Sequence, residues 1–274
     1  MENALEIRRL PVASGAPPGS LHLTGSRGLF FKNSKENIMF TTEHLIWIGI
    51  CAAFVLIMNL ICHRLNLSLR VVSRIMAAVC IVSESSKIMS SMLENQSGGR
   101  YLDPLALPFH LCSLMLFGVL FIAFGKDGTA KQTVIDFIAV AGTIGSVCAI
   151  LIPSNGTAFN ALDSYQCFVY HGALLWFSIY LIASGHARFG ARVYLRNLCM
   201  LLSLVLLAMY ANSILAAYNA NFMFLTQPPM ENLPYLNLNH GWYAYFFRLI
   251  ALGLTLFTLF QLPFMLHRHR RKDA

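Results

Sequence analysis

The sequence predicts an all-α, polytopic membrane protein, a bundle of seven transmembrane helices with the N-terminus outside and the C-terminus cytoplasmic. Three observations predict it. The 274 residues are 57% hydrophobic and 12% charged, with a mean hydropathy of +0.60, too apolar for an ordinary soluble domain. Seven apolar runs each approach the roughly 20 residues that a spanning helix needs. Basic residues concentrate in alternate connections between those runs, the asymmetry that orients a multi-pass chain.

Residues 1–42 are rich in Gly, Pro, Ser and charge (Ala16-Pro17-Pro18-Gly19-Ser20) and are expected to form a disordered tail without a secretory signal. A membrane domain then fills residues 43–267 and a basic cytoplasmic tail residues 268–274. Span one, His44 to Cys62, leads into a loop with Arg64 and Arg70. Span two, Val71 to Leu93, is followed by a loop whose one basic residue is Arg100. Span three, Leu105 to Phe124, is followed by Lys126 and Lys131. Span four, Thr133 to Ile152, ends in a connection without Lys or Arg. Span five, Tyr165 to Ala183, precedes Arg188, Arg192 and Arg196. Span six, Tyr194 to Ala217, opens the one long connection, Tyr218 to His240, which has no Lys or Arg. Span seven, Trp242 to Leu266, runs into Arg268-His269-Arg270-Arg271-Lys272. The N-terminal tail carries Arg8, Arg9, Arg27, Lys32 and Lys35 and runs against this orientation, which the loops and the basic C-terminus outvote.

Several classes of function drop out. The net charge of +8 sits in short loops beside spans, so it reports orientation and gives no reason to expect nucleic acid. All seven cysteines fall within predicted spans and none forms a CxxC pair, which speaks against a disulfide framework or a zinc site. The sequons Asn95-Gln96-Ser97 and Asn155-Gly156-Thr157 both fall on the expected outer side. No short-period or inverted repeat is evident.

Polar residues share one depth. Counted inward from the outer helix ends, His110 and Cys112 in span three, His171 in span five, Glu84 and Lys87 in span two, Asn212 in span six and Arg248 in span seven fall in one layer. It lies roughly 8–14 Å below the outer surface at 1.5 Å per residue. Ionisable groups in a bilayer are costly and mark function by default. Simpler roles stand beside that reading. Glu84 and Lys87, spaced i, i+3, can pair with each other. Asn212 suits helix–helix hydrogen bonding, and Arg248 can snorkel. Asp136, near the other end of span four, suits a helix N-terminal dipole.

The layer suggests a chemistry. A nucleophilic cysteine needs a base. On an ideal helix His110 and Cys112 point about 200° apart, so His171 is the better partner for Cys112, unless a distortion near Pro108 changes the geometry. Glu84 would orient the imidazole, and Lys87 or Arg248 would steady a phosphate or developing oxyanion. Acyl transfer on a lipid ester, or the closely related hydrolysis of that ester, fits this set. Metal ligation by two His and a Glu fits less well, since no HExxH-like spacing occurs, and no cofactor is implied.

The motif Leu107-Pro108-Phe109-His110-Leu111-Cys112 resembles the L-P-x-H-x-C signature of the YwaF-like integral membrane proteins, which are related to the transmembrane protein 164 family. Asn219-Ala220-Asn221-Phe222-Met223-Phe224-Leu225 resembles that family's N-x-N-Y-M-F-L stretch, and Gly241-Trp242-Tyr243 its P-W-P-W-Y close. The resemblance covers spans two to seven, roughly residues 70–266. Phe222, Gln227 and Gly241 depart from the usual Tyr, Lys and Pro. The resemblance implies a multi-pass helical membrane fold and, from its eukaryotic branch, transfer of fatty acyl chains between glycerophospholipids through a cysteine. Carried over, that role falls on Cys112 with His110 or His171 as base. The partners implied are membrane phospholipid and lysophospholipid. The location would be a cell membrane in a bacterium or an endomembrane in a eukaryote. The alternative reading is a transporter or receptor-like protein that binds an anionic solute in the same polar layer.

Overall fold

A computed structural model describes residues 39–94, 98–154, 156–230 and 233–270. Most of the expected tail, the first sequon, Asn155 of the second and the last residues of the basic tail lie outside them.

Seven helices form among the described residues. They are α1 (Thr42–Arg64), α2 (Leu69–Ser90), α3 (Leu111–Phe124), α4 (Thr129–Leu151), α5 (Leu162–Ala183), α6 (Ala191–Ile214) and α7 (Gly241–Arg270). Local chemistry sets the starts of the first two. Thr41 caps α1 by accepting from the His44 N–H at 3.3 Å, and Ser68 caps α2 by accepting from the Val71 N–H at 3.4 Å. Such caps satisfy N–H groups that have no carbonyl four residues back. A small antiparallel hairpin, β1 (Met92–Glu94) and β2 (Arg100–Leu102), pairs Met92 with Leu102 and leads from α2 towards α3.

Among the described residues five helices, not seven, are long and apolar enough to cross a membrane: α1, α4, α5, α6 and the Gly241–Leu266 part of α7. The other two fail for different physical reasons. Helix α2 is long, but Arg70, Arg74, Glu84 and Lys87, together with its serines, dilute its apolar character. Helix α3 is apolar but only 14 residues long, about 21 Å against a hydrocarbon core of about 30 Å. The seven-span reading is therefore corrected. The orientation that was counted over seven crossings falls with it.

Helices α4 and α5 form the centre. Helix α5 buries residues on all sides, including Phe168, Trp176, Phe177 and Leu181, the pattern of a helix surrounded by neighbours. It packs against α1, α2 and α4, and α2 packs closely on α3. In α4, residues 138–142 loosen into a π-turn, a common cause of a helix bend. The freed Ile138 carbonyl accepts from Ser178 Oγ of α5 at 3.1 Å. Gly142 is required here, because a Cβ in its place would collide with that same hydroxyl. Helices α1, α6 and α7 leave most of their apolar surface uncovered, such as Leu56, Tyr210 and Phe247, as helices facing acyl chains do.

Candidate functional site

The site begins with the approach to α3. Asp103 starts a 3₁₀ turn, Pro104–Ala106, by accepting from the Leu105 N–H at 2.9 Å. Leu107 is then extended, with ψ 147°, as the residue before a proline prefers. Helix α3 starts only at Leu111, and His110 is its N-cap, with φ −72° and ψ 146°. Pro108 thus delays the helix by several residues relative to the predicted start at Leu105. The ideal-helix angle between His110 and Cys112 does not apply, because His110 is not in the helix.

Cys112 lies in the first turn of α3. No side chain caps this helix, so its first-turn N–H groups have no carbonyl partner within it. Tyr170 Oη, from α5, donates to the Cys112 carbonyl at 2.6 Å. From α2, Lys87 Nζ pairs with Glu84 Oε1 at 2.6 Å and donates to Ser113 Oγ at 3.0 Å. Lys87 and Glu84 are both electrostatic neighbours of the Cys112 thiol. Three helices therefore converge on the Cys112–Ser113 step. Among the described residues no hydrogen bond joins Cys112 Sγ to either His110 or His171.

The two histidines differ. His110 Nδ1 accepts from the Met223 N–H at 3.3 Å, and its ring rests against Phe222 and Phe224 at 5.4 and 5.5 Å between centroids. An Nδ1 that accepts carries no proton, so the neutral ring holds its proton on Nε2. His171 has the opposite arrangement. Its Nδ1 donates to the Cys167 carbonyl at 2.7 Å, with Cys167 Sγ at 3.6 Å, which leaves the Nε2 lone pair open. His110 lies within electrostatic reach of both His171 and Lys87.

Asn212 acts on the backbone of the long connection. Its Oδ1 accepts from the Phe222 N–H at 2.7 Å and its Nδ2 donates to the Phe222 carbonyl at 3.1 Å. Asn221 folds the following residues, its Oδ1 accepting from the N–H groups of Thr226 and Gln227. Trp242 Nε1 donates to the Leu225 carbonyl at 3.1 Å, and Tyr245 Oη donates to that of Phe224. These ties hold Met223 and Phe224 in the left-handed region, each with φ 56°, where non-glycine residues cost about 1–2 kcal/mol. The result aims the Met223 N–H at His110. Gln227 offers its backbone to Asn221, so the Lys usual there is not needed to shape the turn. Arg248 is half-buried and makes no hydrogen bond or ion pair among the described residues.

The structure thus pairs Glu84 with Lys87 within electrostatic reach of Cys112, sets His110 and His171 as electrostatic neighbours, gives Asn212 a supporting part, and leaves Arg248 apart. Ser113 and Tyr170 escaped the sequence reading. Each adjoins a residue already singled out, so counting hydroxyls along with ionisable groups would have found both.

Asp136 stands at the other end of the bundle. Helix α4 starts at Thr129, two turns before it, so Asp136 is not an N-terminal charge. Its carboxylate is buried and accepts from Gln132 Nε2 at 2.8 Å, the Arg188 N–H at 2.8 Å and Arg196 Nη2 at 3.2 Å. It ties α4 to the α5–α6 connection and to α6. No group of three or more His, Cys, Asp or Glu is placed to hold a metal ion among the described residues.

Comparison with curated proteins and with solved structures gave no match. A family model does match, over residues 39–261, which takes in α1 as well as the elements carrying the two motifs. The chain is a multi-pass integral membrane protein that belongs to the TMEM164 family.

Proposed function

We propose that this protein is a lipid acyltransferase that moves a fatty acyl chain between glycerophospholipids through Cys112. The observation that carries the reading is the setting of Cys112. It lies in an uncapped first helical turn, beside the Glu84–Lys87 pair, in a chain whose uncovered helices face lipid.

In the proposed reaction His171 Nε2 takes the thiol proton, directly or through a water. Sγ attacks the ester carbonyl carbon of a phospholipid. The C–S bond forms as the ester C–O bond breaks, and the lysophospholipid alkoxide leaves with the proton from His171. The first-turn N–H groups of α3 and Lys87 face the oxygen on which negative charge develops. The hydroxyl of an acceptor lysophospholipid then attacks the thioester, the C–S bond breaks, and the thiol is restored. His110 serves as a donor through Nε2–H.

The test uses purified protein with acyl-labelled phosphatidylcholine and an unlabelled lysophospholipid. Label should pass to the acceptor. An acyl–protein adduct should be trapped in wild type and absent in Cys112→Ser and Cys112→Ala. Transfer that survives Cys112→Ala removes Cys112 as nucleophile. Solute uptake in liposomes without label transfer returns the reading to a transporter.

A further inference from the structure

The far end of α3 from Cys112 carries a second polar feature that the acyl-transfer reading does not use. Where α3 gives way to α4, a cavity of about 450 Å³ is lined by Lys131, Arg188 and Arg196, with Gly128 and Thr129 at its edge. An adjoining cavity of about 300 Å³ is lined by Arg70, Arg74 and Lys126. Asp127 and Lys131 line both.

The charges there are not balanced. Asp127 is the one acidic residue on either lining, and Lys131 takes it at 2.9 Å. Arg188 gives its backbone N–H to Asp136, and its guanidinium has no hydrogen bond or ion pair among the described residues. Arg196 spends one nitrogen on Asp136, while its Nε is buried without a partner. Arg74 lies over the Phe124 ring at 5.9 Å. Gly128 leaves α4 without a side-chain cap, so N–H groups at the cavity edge point outward, an arrangement that favours an anion. Even with Asp127 and Asp136 within electrostatic reach of Arg70, Arg188 and Arg196, cations are in excess around the concavity, and such an excess attracts an anion of matching size. Guanidinium groups and helix N–H donors together suit the oxygens of a phosphate.

We propose that this double cavity binds a phosphate group, and that phosphatidic acid or a phosphoinositide headgroup is the natural carrier. The cavity opens beside Leu69, at the start of α2, and the adjoining one beside Phe124, at the end of the apolar α3; basic pockets at the ends of apolar helices bind anionic lipid heads. The site is separate from Cys112 and stands or falls without it.

The test is lipid retention by the full chain in phosphatidylcholine nanodiscs doped with phosphatidic acid, read by native mass spectrometry. Wild type should retain phosphatidic acid over phosphatidylcholine. The double variant Lys131→Gln/Arg188→Gln should lose that preference by about tenfold or more, the loss expected for removing charge-assisted bonds. Arg192→Gln, an exposed arginine outside both linings, should behave as wild type. A competition arm names the carrier. Displacement of the retained lipid by inorganic phosphate makes the ligand a soluble phosphate, and resistance to it makes the ligand the lipid headgroup. Equal retention of both lipids, or an Arg192→Gln loss equal to that of the double variant, overturns the proposal. If the double variant does not fold, Arg188→Gln alone carries the same comparison.

Discussion

Replacing Asn212 tests whether the long connection is held by one side chain. Asn212 is buried at 5% exposure and makes two hydrogen bonds to the backbone of Phe222, a residue 1% exposed. Asn212→Ala strands the Phe222 N–H away from water and leaves the Phe222 carbonyl with only the 3.4 Å bond from the Leu225 N–H. The stranded group costs about 1–3 kcal/mol and the second lost bond about 0.5–1.5 kcal/mol, so the loss is roughly 1.5–4.5 kcal/mol. Asn212→Leu restores the volume but neither bond. If the bonds matter, the two variants lose similar stability in equilibrium unfolding from mixed micelles. If packing matters, Leu recovers most of what Ala loses. The same substitutions free the Met223 N–H from its aim at His110, so acyl transfer should fall in both. A wild-type unfolding midpoint in Asn212→Ala refutes the argument. So does full stability in Asn212→Leu.

Three further outcomes follow from the geometry. Lys87→Met leaves Glu84 half-buried without its cation and should cost about 1–3 kcal/mol, while Glu84→Gln/Lys87→Met should cost less than the single change, a sign of coupling that a double-mutant cycle reads directly. Gly142→Ala drives a methyl into Ser178 Oγ and should destabilise by about 1–3 kcal/mol; adding Ser178→Ala should recover part of it, measured by the same unfolding assay. His186, in the α5–α6 connection, is partly buried against Tyr180, and burial holds its imidazole below the usual value. A depressed imidazole makes the unfolded chain bind the proton more readily, so stability should fall as pH drops through about 6.5, and His186→Asn should flatten that slope.

Much of the fold is written in hydropathy. The runs that became α1, α4, α5, α6 and α7 all carry an unbroken apolar stretch, and their helices start and stop within a few residues of the expected places. What hydropathy does not carry is length relative to a bilayer and the effect of one proline. Span three looked long enough because Leu105–Phe109 is apolar, but Pro108 forces the chain before it to be extended and cuts the helix to 14 residues. The polar candidates were legible as polar residues within apolar runs. Their geometry was not, because a backbone carbonyl takes His171 Nδ1 and a backbone N–H takes His110 Nδ1, and peptide groups leave no mark in a sequence. Asn212 showed as a polar residue in an apolar run, yet its partner is a peptide ten residues away in a turn whose left-handed residues, Met223 and Phe224, carry no glycine signal.

The shortness of α3 has a consequence for the membrane itself. A helix of about 21 Å whose first turn carries Cys112 cannot match an unperturbed bilayer. Where lipid meets that end, the bilayer would thin or its glycerol region would sink towards it. The substrate ester would then reach the thiol without the whole lipid leaving its leaflet. Under the proposed reaction, bilayer thickness would act as a control: acyl transfer should be faster in short-chain hosts and slower in long-chain ones, while stability, carried by the longer α4 and α5, changes little.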